Sequence, residues 1–105
     1  MADQPTPPKT FNDFVAAFPD IAKAWELVHD AGSKCSVDAK TARLLKLAVA
    51  VGAQREGAVR VSARKAAAMG ISAAELNEIV TLAVGTLGFP ASVAAFSWIH
   101  DAIAD

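Results

Sequence analysis

Apolar residues recur with the 3.6-residue period of an α-helix along most of the chain. Residues 11–18 place four large apolar side chains on one helical face. A second amphipathic helix is predicted from Pro19 to about Asp30, because proline is favoured in a first turn and Gly32 follows as a terminator. The pattern therefore predicts two short helices before residue 33.

A third helix is predicted over residues 37–53. Ser36 is placed to cap its first turn, and Asp38 lies where the helix dipole favours a negative charge. From residue 44 to residue 51 this helix is apolar on nearly every side. Such a helix is central, so we expect neighbouring helices or another subunit to cover it.

The clearest local signal is a turn between a fourth and a fifth helix. The fourth is predicted over residues 55–69, and Gly70 ends it because glycine accepts the left-handed conformation. The sequence Ser72-Ala73-Ala74-Glu75 is a capping box, in which the serine and glutamate side chains bind the backbone N–H groups of each other's residue.

The remaining sequence completes an all-α fold. The fifth helix is predicted over residues 73–87, and Pro90 is placed to begin a last helix that reaches Ile103. No segment combines strand alternation with turn signals. We therefore predict a small bundle of five to six helices in a single domain over residues 10–105, preceded by a proline-containing extended or disordered arm over residues 1–9.

The composition favours an oligomer. The chain has 105 residues, of which 53% are hydrophobic but only 7% aromatic. A domain of this size buries about two-thirds of its unfolded surface, so many small apolar side chains stay uncovered unless subunits share a core. We therefore expect a homo-oligomer. We do not expect a membrane protein, because the longest apolar stretch, residues 44–53, is about half the length that spans a bilayer.

Charge and the reactive residues exclude several functions. A net charge of −1 argues against non-specific nucleic-acid binding. A single cysteine, Cys35, excludes an internal disulfide and any Cys-x-x-Cys motif. His29 and His100 have no ligand spacing, so we predict no metal site. Because residues 1–5 lack a secretion-signal pattern, a cytoplasmic location is expected.

Positive charge is concentrated in the middle of the chain. Between Asp38 and Lys65 there are seven basic residues and two acidic ones. Such a region either attracts a small anionic molecule or forms solvated helix faces, and solvated faces are the commoner outcome.

Several motifs follow one another in a fixed order: Lys40–Leu44 leading into Leu47–Ala50, then Arg60–Ala66, Gly70–Leu76 and Gly88–Ala91. Together they resemble the carboxymuconolactone decarboxylase family, whose superfamily also contains alkylhydroperoxidase-like proteins. The resemblance covers roughly residues 36–104. It implies all-helical subunits that assemble as trimers or hexamers, with a site near the start of the fourth helix.

The peroxidase branch of that superfamily carries Cys-x-x-Cys-x-x-x-His at this helix start and a glutamate on the preceding helix. By resemblance, the matching positions here are Arg55, Ala58 and Ser62, with Arg43 in place of the glutamate. Disulfide exchange needs a thiolate and a resolving partner. The chain therefore lacks the groups for that branch's reaction at this site.

The decarboxylase branch is more similar. It implies an Arg-Pro-x-Glu-like opening followed by a basic residue and a histidine. This chain has Arg55, then Glu56 in place of the proline; Arg60 and Arg64 match, and Ser62 replaces the histidine. Decarboxylation needs a cation to hold the carboxylates and a group that protonates the resulting carbanion.

These positions yield a hypothesis for the site. Arg55 and Ser62 are seven residues apart, which places them on one helical face about 10 Å from each other. Arg55 is the predicted clamp for a small anionic substrate, with Arg43 or Lys46 at the rim of the pocket. Glu56 and Ser62 are the candidate catalytic groups, and no cofactor is implied.

Structural alternatives exist for each residue. Arg55 can cap its helix or form a salt bridge between subunits, while Ser62 can be a small packing residue. Glu56 can form an ordinary surface pair with Arg60. The leading hypothesis is a cofactor-free protein acting on a small lactone or carboxylic acid. The alternatives are a non-enzymatic oligomeric or ligand-binding module and, last, a thiol peroxidase that uses Cys35 alone.

Overall fold

The computed structural model describes residues 8–104, and helices account for most of them. Their order is α1 (Lys9–Ala17), α2 (Pro19–Ser33), α3 (Ala39–Gly52), α4 (Glu56–Ala68), α5 (Ala73–Leu87) and α6 (Phe89–Ile103). No strand occurs in this range, so the predicted all-α fold of five to six helices is confirmed. The predicted arm lies almost wholly outside the described residues.

The chain divides into two compact units. One contains α1 and α2, which contact each other. The rings of Phe14 and Phe18 contact each other in a tilted arrangement at the end of α1, with centroids 5.0 Å apart, and Pro19 then begins α2. No described residue of these two helices is buried. Their large apolar side chains are exposed, so this unit has no core of its own.

The other unit consists of α3, α4, α5 and α6 and contains the core. Its largest fully buried side chains are Leu47, Val51, Val59, Leu76 and Ile99. Four buried alanines of α3, α4 and α6 lie among them: Ala50, Ala63, Ala66 and Ala95. Small side chains let helix backbones approach closely, which explains how a chain so poor in aromatic residues fills its interior.

The third helix is covered on one side only. Leu47, Ala50 and Val51 of α3 are buried, as expected for a central helix. On the other side, Leu45 is 52% and Val49 is 71% exposed. Within one chain, the apolar segment is therefore only partly shielded from solvent.

The capping box at the start of α5 is present. Ser72 Oγ accepts a hydrogen bond from the Glu75 backbone N–H at 3.2 Å, and the Ser72 N–H donates to Glu75 Oε2 at 3.0 Å. Lys40 Nζ donates to Glu75 Oε1 at 2.5 Å, which ties α5 to α3. The hydrogen bond from Lys40, followed by that from the Ser72 backbone, lowers the pKa of Glu75. Gly70, with φ of 85°, provides the predicted left-handed turn.

Four predicted helix starts are wrong by one or two residues. The first helix begins at Lys9 rather than 11, and the fourth begins at Glu56 rather than 55. The third helix begins at Ala39 rather than 37, so Ser36 does not cap it; Asp38, an equally good capping residue type, immediately precedes the helix. The last helix begins at Phe89, and Pro90 lies within its first turn. None of the described helices combines the length and the apolar character needed to cross a membrane.

Candidate functional site

The packing of α3 against α4 brings positive side chains together. Arg43 lies one turn before the buried Leu47 on α3, and therefore on the face that packs on neighbouring helices. Ser62 is buried on α4, with 5% of its surface exposed. Arg43 Nη1 donates to Ser62 Oγ across the two helices at 3.5 Å, a long hydrogen bond. The core of the bundle thus fixes where this guanidinium lies.

The guanidinium of Arg43 is poorly satisfied. Its Nε atom is buried and has no hydrogen-bond partner in the described part of the chain. Burial lowers the pKa of Arg43 because it removes water from the charged group. An unpaired charged donor is costly inside a protein, and a carboxylate is the acceptor that matches a guanidinium best.

Lys65 lies one turn after Ser62 on α4 and is partly buried. Its pKa is lowered, first by burial and then by the positive charges of Arg43 and Lys46. We call Arg43, Lys46 and Lys65 the cationic cluster. A lysine in such surroundings is neutral more often than one in water, so its amine can accept a proton or act as a nucleophile.

The cationic cluster has no carboxylate of its own among residues 8–104. The acidic groups of α4 and α5 that form ion pairs bind other partners: Glu56 lies 2.9 Å from Arg60, and Glu75 binds Lys40. Asp101 of α6 also pairs with Arg60, at 3.7 Å. No ion pair among residues 8–104 therefore offsets the charge of the cluster.

Arg55 lies outside this contact. It is the N-cap residue of α4, is exposed, and forms no side-chain capping bond. Its backbone is ordered by hydrogen bonds, with its N–H donating to the Ala50 carbonyl and its carbonyl accepting from the Val59 N–H. Within the described residues no hydrogen bond joins the side chain of Arg55 to Ser62 or Arg43.

Of the predicted site residues, the structure brings Ser62 and Arg43 together and places Lys46 in the same positive region. Glu56 forms the surface pair with Arg60 that the sequence spacing predicted as an alternative. Lys65 was missed as a site residue. Its place one turn after Ser62, in the most basic part of the chain, was the available signal.

The other reactive groups lie apart from any such cluster. Cys35 is an exposed free thiol in the segment between α2 and α3. His100 Nε2 lies 2.8 Å from Asn77 Oδ1, and its ring meets the edge of Phe96. His29 is exposed. Across the described range, no three His, Cys, Asp or Glu side chains converge as they would around a metal ion.

An open groove of about 470 Å³ runs between α5 and α6. Its apolar lining includes Val84, Phe89, Val93 and Phe96, and each of these side chains is more than one-third exposed. Phe89 is the most exposed of these four side chains, at 73%. Large apolar side chains grouped in this way are typical of a surface that another molecule covers.

Comparison with known proteins supports the resemblance in the sequence. The profile of the Carboxymuconolactone decarboxylase family matches residues 19–101, which is most of the chain and includes α2 through nearly all of α6. No curated protein and no solved structure matches the chain at a significant level.

The cationic cluster makes a prediction about stability. Lys65→Met removes a partly buried charge that two other cations repel, so we expect the free energy of unfolding at pH 7 to rise, by no more than about 1 kcal/mol. Lys40→Met removes a charge that binds Glu75 at 2.5 Å, so it should lower the free energy of unfolding. Urea denaturation of both variants and the parent measures the difference.

The effect of Lys65→Met should depend on pH. The pKa of Lys65 is lowered in the folded state, so its charge opposes folding below that pKa. The parent should therefore approach the variant in stability as the pH rises from the folded-state pKa of Lys65 towards the usual value of 10.5. A Lys65→Met variant as destabilised as Lys40→Met at pH 7 would contradict the arrangement described.

Proposed function

Because the chain belongs to the Carboxymuconolactone decarboxylase family, we propose that its cationic cluster binds a small organic acid, such as a lactone acid or dicarboxylate, on which the protein acts without a cofactor. The observation that carries the proposal is the guanidinium of Arg43. It is held between α3 and α4, its Nε lacks an acceptor, and its only described partner is the hydroxyl of Ser62.

A bound carboxylate would improve the electrostatics of this site in two ways. It would accept hydrogen bonds from the Arg43 guanidinium, and charge-assisted bonds of that kind contribute about 1.5–3 kcal/mol each. It would also offset the mutual repulsion of Arg43, Lys46 and Lys65. Binding of the carboxylate would therefore raise the pKa of Lys65. A dianion does both better than a monoanion, which favours dicarboxylates.

The family resemblance supports this placement of the site. It assigns Arg43 and Ser62 to the positions of the glutamate and the histidine that the peroxidase branch carries on two neighbouring helices. In this chain the two side chains lie in contact across α3 and α4. This contact supports a carboxylate-binding site at the position of the superfamily's reactive centre, whereas Cys35 lies outside the contact, in the segment between α2 and α3.

A second candidate function is binding without turnover. It is favoured by Ser62, because a hydroxyl with no adjacent base is a poor proton donor where the decarboxylase branch has a histidine. Incubation with small lactone acids, followed by detection of released carbon dioxide, separates the two functions, since both require the same binding site.

We also propose that the protein is a homo-oligomer, a trimer or a hexamer, with the α5–α6 groove at a contact between copies. The support is the exposure of apolar side chains: Phe89 and Val93 in the groove are 73% and 51% exposed, and Val49 of α3 is 71% exposed. Burial of such side chains contributes about 25 cal/mol per Å², which supports an association that covers them.

Binding of succinate tests the carboxylate site. We expect Arg43→Gln to weaken it roughly ten- to hundredfold, because one charge-assisted hydrogen-bonding group is lost. Arg60→Gln is the matched control, because it also removes one positive charge. Arg60 lies on α4 in a surface pair with Glu56 and Asp101, so the affinity for succinate should change less than about threefold. Isothermal titration calorimetry at fixed ionic strength measures both.

The variant Arg55→Gln tests whether the anion is bound by Arg43, as proposed here, or by Arg55, as predicted from the sequence. We expect it to resemble Arg60→Gln, since Arg55 is exposed and outside the Arg43–Ser62 contact. A large loss of affinity in Arg55→Gln with none in Arg43→Gln would move the site to the start of α4. Equal affinity in all three variants and the parent would refute specific binding at either place.

Multi-angle light scattering tests the assembly. We expect a monodisperse trimer or hexamer at micromolar concentration, and a shift to smaller species for Phe89→Lys, which places a charge in the α5–α6 groove. Ala67→Lys adds the same charge at an exposed position of α4 and should leave the mass unchanged. A monodisperse monomer of the parent would contradict the proposed assembly.

A further inference from the structure

The cationic cluster contains an amine suited to covalent chemistry. We propose that Lys65 forms an imine with keto dicarboxylic acids, one carboxylate of which is held by Arg43. This inference rests on the proposed function, because it requires the carboxylate site, and it names the substrate class of that site.

The position of Lys65 sets it apart from the other lysines. All six lysines of the chain lie within the described residues, and Lys65 is the one that is partly buried rather than exposed. It extends from α4 one turn after Ser62, on the side where Arg43 crosses from α3. No hydrogen bond or ion pair within residues 8–104 holds its amine, so the nitrogen lone pair is available once the amine is neutral.

The charges around Lys65 favour that neutral form. Burial lowers the pKa of Lys65 first, and the positive charges of Arg43 and Lys46 lower it further. An amine next to other cations is an established way of activating a lysine toward carbonyl groups, because only the unprotonated amine attacks. Arg43 and Lys46 therefore have two roles, since they attract the substrate's carboxylates and suppress the proton on Lys65.

The reaction consumes one proton from solvent, and the water lost on imine formation is taken up again at hydrolysis. The Lys65 nitrogen attacks the ketone carbon, the carbinolamine loses water, and a protonated imine forms. When the second carboxylate is attached to the carbon next to the former ketone carbon, the bond between that neighbouring carbon and the carboxylate breaks, and carbon dioxide leaves. The electron pair moves toward the imine nitrogen to give an enamine, which takes a proton from solvent at carbon. Water then hydrolyses the imine, releasing a keto monocarboxylic acid and regenerating Lys65.

The imine supplies what a carboxylate clamp alone does not. Loss of carbon dioxide leaves an electron pair on the carbon that carried the carboxylate. Under this proposal the cations of the cluster hold the anchoring carboxylate and do not stabilise that electron pair. A positively charged imine nitrogen conjugated with the breaking bond receives it directly. The enamine is protonated by solvent, so no histidine is needed at the position that Ser62 occupies.

Reductive trapping tests the imine. The full-length protein is incubated with 3-oxoglutarate and cyanoborohydride, and the adduct is located by intact mass and peptide mapping. We expect one adduct, on Lys65, and its complete loss in Lys65→Arg, which keeps the charge but cannot form an imine. Lys40→Arg, which preserves a cation opposite Glu75, should be trapped as fully as the parent.

Glutarate is the matched ligand, because it has the same carbon chain and both carboxylates but no ketone. It should bind Arg43→Gln at least tenfold more weakly than the parent. Arg43-dependent glutarate binding without an adduct on Lys65, or with adducts spread evenly over the lysines, would overturn the imine and leave the carboxylate site intact. Absence of glutarate binding would overturn both.

Discussion

The structure depends on a conflict between packing and charge where α3 crosses α4. Burial of Leu47 and Val51 on α3 and of Val59 and Ala63 on α4 holds the two helices together. The same geometry takes the guanidinium of Arg43 partly out of water. A charge in that position needs an acceptor, and the described chain offers it a single hydroxyl at 3.5 Å.

This conflict connects stability with function. Unpaired cations at a helix interface lower the stability of a free protein, and under the proposed function the carboxylates of an anionic ligand would relieve their repulsion on binding. The surface ion pairs of Arg60 with Glu56 and of Lys40 with Glu75 show that the chain neutralises cations elsewhere. The cationic cluster is different because the described acidic side chains leave it unpaired.

Much of the fold could be predicted from the sequence, because helical periodicity and the Ser72–Glu75 capping box are local features. The start of α3 was misplaced because Ser36 and Asp38 are equally good capping residues, and tertiary packing chooses between them. The contact of Arg43 with Ser62 could be anticipated only through the family resemblance. Periodicity does not tell which charged positions a neighbouring helix will cover, so Lys65 was overlooked, and the role of Arg55 as an anion clamp stays a prediction.

The central claim is that the cationic cluster is electrostatically incomplete until a carboxylate binds. The most direct test is an NMR titration of the Lys65 side chain in protein labelled at the lysine ε-carbon, with Lys65→Arg used for assignment. We expect the pKa of Lys65 to lie below 10.5 in the free protein and to rise when saturating glutarate is added. A pKa at or above that value in the free protein, unchanged by glutarate, would contradict the claim.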